Sequence, residues 1–175
     1  MGIDQRLRDD LFLGAEISRR DADIPQGPIT VNAEELFGRA YIYWAPRDWL
    51  ALNAEYQLDY GEVKLDPTEK NTIHRVPLEA RIYLPSGLFG RLRGTYVNQE
   101  VQFLDFASGA RVKGNDSFLV LDAAVGYRFP KRLGLVTLEV SNLLNRRFHF
   151  QDVDPTNSKI HNDERVVLAR LTLTF

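Results

Sequence analysis

The chain has 175 residues, a formal net charge of −2 and no cysteine, with 44% hydrophobic and 26% charged residues. This length suits one domain, and the absence of cysteine excludes disulfides and thiolate metal sites. No stretch approaches the ~18 consecutive apolar residues of a transmembrane helix, and no basic run suggests nucleic acid.

The first ten residues are charged and are followed by no long apolar segment, which is unlike a signal peptide. We interpret residues 1–10 as a lead-in, and the start of the chain as a cut end of a longer protein. The remaining residues, 11–175, are expected to form one β-barrel domain.

Eight segments alternate apolar and polar residues with a period of two, which predicts β-strands with one apolar face. In residues 49–60, for example, Leu50 and Leu52 share one face and Asn53 and Glu55 share the other. Many of these segments reach ten residues, which suits the ~9–11 residues of a strand that crosses a bilayer at a tilt. The segments cover residues 11–20, 38–44, 49–60, 75–84, 88–103, 118–129, 133–142 and 165–175.

The connections alternate between short and long. Short ones with turn residues lie at 45–48, 85–87 and 130–132, and long polar ones at 21–34, 64–72, 105–116 and 151–163. This asymmetry is typical of bacterial outer-membrane barrels, whose short turns face the periplasm. The pattern therefore predicts an all-β, antiparallel up-and-down transmembrane barrel of about eight strands, with both ends of the chain on the short-turn side.

Alternation alone leaves two orientations open, because a soluble lipocalin-like barrel turns its apolar face inward around a ligand. Charges of both signs at mid-strand favour lipid outside, since a small lumen can hold them as a paired network. Small residues, such as Gly14 and Ala124, share that face and leave space for the charges. The predicted lumen network comprises Glu16, Arg39, Glu55, Glu79, Arg81, Arg93, Asp122, Arg128, Glu139 and Arg170.

Aromatic residues cluster at strand ends beside the short turns, where membrane barrels carry an interfacial girdle. The alternative is that they pack the floor of a soluble barrel. The predicted girdle comprises Trp44, Trp49, Tyr83, Tyr127 and Phe129.

The last segment alternates Leu171 and Leu173 with threonines and ends in Phe175. This pattern resembles the C-terminal signal that outer-membrane barrels present to their assembly machinery, and a free strand edge can pair with another sheet. Upstream, the run from Leu138 to Phe148, LEVSNLLNRRF, resembles the penultimate strand of TonB-dependent receptors.

The resemblance covers roughly the final 45 residues and implies a membrane-spanning segment of a transport channel in the bacterial outer membrane. The plug, the energy-coupling box and the 22 strands of that family are not present in this sequence. The chain is therefore expected to close alone, or with further strands or a partner chain. The expected partners are membrane lipid, lipopolysaccharide and the barrel assembly machinery, with no nucleic acid.

Enzymatic chemistry has little support in the sequence, and neither a cofactor nor a metal is expected. His74, His149 and His161 match no metal spacing. A rim hydrolase using His149 or His161 with Asp152, Asp154 or Asp163 is a third hypothesis, beside the channel segment and the soluble carrier. The loop carboxylates can also be read as a calcium site or simply as solvated residues.

Four arginines are expected near the outer leaflet, where they either pair with lipopolysaccharide phosphates or serve as ordinary strand-end charges. They are Arg19, Arg20, Arg146 and Arg147.

Overall fold

The computed structural model describes residues 1–26, 29–64, 69–105, 109–147 and 164–174. These residues form nine antiparallel strands in one sheet, in sequential order from β1 to β9. The strands are β1 Gly2–Arg8, β2 Leu11–Gln26, β3 Ile29–Arg47, β4 Leu50–Val63, β5 Glu69–Tyr83, β6 Leu88–Asp105, β7 Ala110–Arg128, β8 Gly134–Ser141 and β9 Val166–Leu173. The prediction of an all-β antiparallel meander is confirmed.

Two parts of the barrel prediction differ from the structure. The sheet has nine strands rather than eight, and within the described ranges no ladder joins β1 to β9, so the sheet is open. The ninth strand is β1, which lies in the predicted lead-in and pairs with the first half of β2. Asp4, Arg6 and Arg8 do alternate with Ile3 and Leu7. The segment is short and highly charged, however, so it was not predicted as a strand.

Two of the predicted long loops, 21–34 and 105–116, are strand over nearly all of their described residues. The β2–β3 ladder continues to Gln26↔Ile29, and the β6–β7 ladder to Asp105↔Ala110. Residues 69–72 likewise belong to β5. Polar residues such as Asp21, Asp23 and Asn32 gave these segments the composition of loops, although their backbones pair in register. The fourth predicted loop, 151–163, lies outside the described residues.

The short turns at 85–87 and 130–132 lie where the sequence places them, whereas β3 continues through Arg47 and the turn predicted at 45–48 lies at residues 48–49. A 3₁₀ turn, Pro130–Arg132, joins β7 to β8, and it is the one helical element among the described residues. Pro46 lies where the β3–β4 register shifts between Trp44 and Arg47, a position that tolerates a residue without an N–H.

The chain's first residue does not lie at the short-turn end, contrary to the prediction. β1 runs toward the turn at residues 9–10, and the backbone N–H of Ile17 donates to the carbonyl of Met1, 2.8 Å away. Met1 is therefore level with the middle of β2. The other edge strand, β9, does run down to the short-turn end, where the Thr174 N–H donates to the Leu133 carbonyl.

Candidate functional site

The register separates two faces that run through all nine strands. One, here called the apolar face, carries rows such as Leu52–Ala80–Leu92–Ala123–Val140. The other, here called the charged face, carries rows such as Asn53–Glu79–Arg93–Asp122. All ten residues of the predicted charge network lie on the charged face: Glu16, Arg39, Glu55, Glu79, Arg81, Arg93, Asp122, Arg128, Glu139 and Arg170.

Burial shows which face is enclosed. Every buried residue within the described strands belongs to the charged face, including Val97, Gln99 and Thr137. On the apolar face Leu78 is 56% exposed and Val125 is 53% exposed. The sheet therefore curls around its charged face and presents its apolar face outward.

Glu55, on β4, is the best-connected carboxylate of the charged face. Arg39 donates to both of its oxygens, from Nε at 3.1 Å and from Nη2 at 3.0 Å. The Tyr43 hydroxyl donates at 2.9 Å, and the amides of Asn53 and Gln57 donate at 3.2 and 3.0 Å. The Glu55 side chain is only 10% exposed. Hydrogen bonds from protein groups, including the two from the Arg39 guanidinium, therefore take the place of the water that would solvate an exposed carboxylate.

The remaining charges form short local pairs rather than one continuous network. Arg39 also lies 3.7 Å from Glu16, and Arg81 donates to Glu79 at 2.6 Å. Arg91 reaches Glu139 at 3.7 Å across β7. The register explains the contact between Arg91 and Glu139, because Ala124 of β7 lies between them and its small methyl group leaves space for the two long side chains to meet.

Four predicted network members have no ion pair within the described part of the chain: Arg93, Asp122, Arg128 and Arg170. Arg91 was not predicted as a member, although it follows the same period of two as Arg93. A groove of about 500 Å³ lies on this face, and its lining includes Tyr43, Glu55, Glu79 and Arg93.

Glycines on the charged face make room for large rings. A Cβ at Gly14 would lie 2.5 Å from the Tyr41 hydroxyl, which crosses β2 and donates a hydrogen bond to Asp4 on β1. A Cβ at Gly126 would overlap the Phe89 ring and would lie 2.7 Å from the Val136 carbonyl oxygen. The sequence indicated space at Gly14 but not which ring fills it.

The predicted aromatic girdle is only partly on the outward side. Trp44, Tyr127 and Phe129 share the period of the apolar face, and Trp44 donates from its indole N–H to Asp10 at 3.1 Å. Trp49 lies in the β3–β4 turn and is 47% exposed. Tyr83 instead lies on the charged face opposite Phe89, because it directly follows Ile82, which is on the apolar face.

The motif after β8 forms a hydrogen-bonded turn. Asn142 is 3% exposed, has φ of 49°, and its side chain bonds both the N–H and the carbonyl of Arg146 at 2.9 Å. Its own N–H donates to Asp122 at 2.9 Å. Asn145 accepts from the N–H of Arg165 at 3.0 Å and so ties the turn to the start of β9. Asp122, predicted as a lumen charge, thus positions a turn.

The predicted assembly residues Leu171 and Leu173 lie on the outward side of β9 and are 60% and 51% exposed. Phe175 lies outside the described residues, as do His149, His161, Asp152, Asp154 and Asp163. The Tyr56 hydroxyl and His74 Nδ1 are 2.8 Å apart. No cluster of three or more metal-ligating side chains occurs in the described ranges.

The arginines expected near the outer leaflet differ in their partners. Arg20 donates to Glu35 at 2.7 Å, and this hydrogen bond and charge raise the pKa of Arg20. Arg19 contacts Asp21 and Glu34, each at 3.2 Å, and the hydrogen bond to Asp21 chiefly raises its pKa. Arg146 and Arg147 are exposed and form no ion pair within the described residues.

No described helix is long and apolar enough to cross a membrane. Comparison with protein-family models, with curated proteins and with solved structures gave no match.

Proposed function

We propose that the nine strands form part of the wall of an outer-membrane β-barrel, with the apolar face against lipid and the charged face toward the lumen. The carrying observation is the inverted burial of the sheet. Leucines and valines of the apolar face, such as Leu78 and Val125, are exposed, whereas every buried residue of the described strands lies on the charged face, including the small cluster of Ile73, Val97 and Phe118. A water-soluble sheet would gain free energy by burying the apolar face instead.

The height of the apolar band supports a bilayer. On β6 the apolar face runs from Leu88 to Tyr96, and on β7 from Leu119 to Tyr127. Eight steps of ~3.3 Å give roughly 26 Å along the strand, or about 20–23 Å after allowing for tilt. Transmembrane barrels carry an outward apolar band about 25 Å tall.

The slope of the band supports a barrel-like tilt. Direct register links Leu11 of β2 to Val167 of β9. The apolar residues of β9 nevertheless continue to Leu173, six residues farther. A descent of six residues over seven strand spacings, at ~3.3 Å per residue and ~4.8 Å per spacing, corresponds to a tilt of about 30°. This is close to the ~35–45° of membrane barrels.

Strand direction indicates that more strands complete the wall. In a sequential antiparallel sheet all odd-numbered strands run the same way, so β1 and β9 are parallel. Direct closure between them would therefore require a parallel seam, and so would a seam between two copies inserted in the same orientation. An open edge in lipid leaves backbone groups unpaired at several kcal/mol each. We infer that an odd number of further strands, from this polypeptide or another, lies between the two edges.

The chain's role within this proposal is that of a channel or transporter wall, in keeping with the resemblance of β8 and its turn to TonB-dependent receptors. The assembly machinery would engage the exposed β9 edge. A soluble carrier of an apolar ligand fits less well, because such a barrel turns its apolar face inward, whereas the apolar face of this sheet is exposed. The hydrolase hypothesis rests on His149 and His161 and stays a prediction.

Quenching of tryptophan fluorescence by brominated lipids tests the insertion. A Trp49→Phe variant, refolded into vesicles, leaves Trp44 as the one tryptophan. Because Trp44 lies at the lower edge of the band, we expect bromines near the headgroup to quench it more strongly than bromines at the chain ends. Equal fluorescence with and without brominated lipid would refute insertion.

A further inference from the structure

Three oxygen-bearing side chains are buried close together on the charged face, above the level of the apolar band. Glu69 and Asn71 of β5 are each 7% exposed, and Gln99 of β6 is 2% exposed. Gln99 is directly opposite Ile73, so Asn71 lies diagonal to Gln99 and next to Glu69 along the same face. Diagonal neighbours on one face of a sheet are ~7–8 Å apart, which long side chains can span. These three residues are here called the oxygen cluster.

Two oxygens of the cluster lack a donor. Oε1 of Glu69 and Oδ1 of Asn71 are buried and accept no hydrogen bond from any described residue. Burying an acceptor without a donor is unfavourable, and the cost is greatest for an ionised group. Two such oxygens on one strand therefore indicate a ligand that supplies positive charge.

The chain itself offers Glu69 no cation. Glu69 forms no ion pair with the residues that the structure describes. Its neighbour Lys70 lies on the outward face, with Nζ 4.9 Å from the centre of the Tyr60 ring. The next cation along β5 on the charged face, Arg75, is six residues or ~20 Å away and pairs with Asp59. A water molecule could bond the Glu69 carboxylate but would leave its charge uncompensated.

Open space and a second carboxylate lie beside the cluster. Gly61 of β4 is directly opposite Asn71, and a Cβ at Gly61 would meet nothing within 4 Å. On the other side, Asp116 of β7 is in direct register with Gln99 and so belongs to the same face. This part of the charged face therefore has room for an ion with some of its water, and negative charge on two strands.

The ligand atoms limit the ion. Carboxylate and amide oxygens suit a hard cation such as Ca²⁺. Zinc prefers histidine and cysteine, and the described ranges hold no group of three or more His, Cys, Asp or Glu that suits a metal. Amide carbonyls must therefore supply part of the ligand set. Ca²⁺ accepts irregular sets of this kind, whereas Mg²⁺ demands a near-ideal octahedron.

We propose that Glu69, Asn71 and Gln99 bind a calcium ion on the charged face, with Asp116 as a second source of negative charge. The ion neutralises Glu69 and links β5 to β6 above the band. The sequence predicted no metal here because residues 64–72 were assigned to a loop, and a loop does not bring Glu69 and Asn71 to one face with Gln99. The site depends on the curl of the sheet and not on lipid, so it stands apart from the proposed channel wall.

Calorimetric titration of CaCl₂ into the full chain, refolded in an uncharged detergent with about 0.15 M NaCl, tests the site. We expect one site with a Kd of about 0.1–1 mM, as in extracellular calcium modules. Glu69→Gln keeps the size of the side chain and should weaken binding about tenfold or more. The control Glu100→Gln removes a carboxylate next to Gln99 on the opposite face and should change the Kd less than about twofold. Absence of binding by the unchanged chain, or equal loss in both variants, would overturn the proposal.

Two further arms keep the proposal testable if Glu69→Gln does not refold. Asn71→Asp adds a negative charge to a side chain of the same size and should tighten calcium binding about three- to tenfold. Weaker binding by this variant would contradict the role of Asn71 as a ligand. MgCl₂ should bind the unchanged chain at least about tenfold more weakly than CaCl₂. Equal affinity for the two ions would show general screening of a negative surface instead of a calcium site.

Discussion

Removing the charge of Glu55 tests whether the charged face is held by local ion pairs. A Glu55→Gln change keeps the size of the side chain but leaves Arg39 with Glu16, 3.7 Å away, as its nearest anion. The NH2 group of the new amide replaces one carboxylate oxygen and cannot accept a hydrogen bond. The side chain therefore loses either the bonds from Arg39 and Gln57 or those from Arg39, Tyr43 and Asn53.

The size of the effect follows from burial. Breaking a buried ion pair costs about 3–5 kcal/mol. The Arg39 side chain is 28% exposed and keeps Glu16 as a neighbour, so we expect a loss of roughly 2–4 kcal/mol in the free energy of unfolding. A double-mutant cycle with Arg39→Gln should show coupling of about 1.5–3 kcal/mol.

Urea unfolding of the chain refolded in detergent micelles, followed by tryptophan fluorescence, provides the measurement. The matched control is Glu35→Gln, which breaks an exposed pair with Arg20 and should cost at most about 1 kcal/mol. A Glu55→Gln loss no larger than that of the control would refute the enclosure of the charged face.

Three other perturbations test separate parts of the fold. Asn142→Ala loses two side-chain hydrogen bonds and strains a positive φ, so unfolding measurements should show a loss of about 2–3 kcal/mol, whereas Asn142→Gly should lose less. Gly126→Ala drives a methyl group into Phe89 and should cost about 1–3 kcal/mol in the same assay, while Gly61→Ala, with nothing near its Cβ, should be nearly neutral. Oxidation of the Gln5→Cys, Ala169→Cys double variant, which probes contact between β1 and β9, should give no intramolecular disulfide. The control pair Gln5→Cys, Leu13→Cys is in direct register and should form one. A bond between residues 5 and 169 would show that the nine strands close directly.

Much of the sheet follows from the period of two. Each of the eight predicted strand segments overlaps one of β2–β9, because side chains alternate faces wherever the backbone is extended, although β3, β5 and β7 begin six to nine residues earlier than predicted. The same rule placed Glu55 and Arg39 on one face. It also contradicts the girdle position of Tyr83, since the register puts this residue on the face of Arg81.

Other features depend on the partner strand and could not be predicted from the sequence. The lateral contact of Arg91 with Glu139 requires the β6–β7–β8 register, which no single strand specifies. Asp4 and Tyr41 lie 37 residues apart in the chain and meet only because Gly14 lies between them. The extension of β2 and β3 carries apolar residues such as Ile24 and Val31 on the charged face, so it does not continue the outward apolar stripe that predicted the strands.

The outward orientation of the apolar face is tested most directly by spin labels at single cysteines, since the chain has none of its own. Labels at Leu78, Leu92 and Val125 in vesicles should collide with oxygen dissolved in the hydrocarbon and be shielded from a water-soluble nickel complex. Labels at Thr95 and Ala124, on the charged face, should show the opposite preference. Nickel access at the three apolar positions, or oxygen preference at the two charged-face positions, would contradict the account.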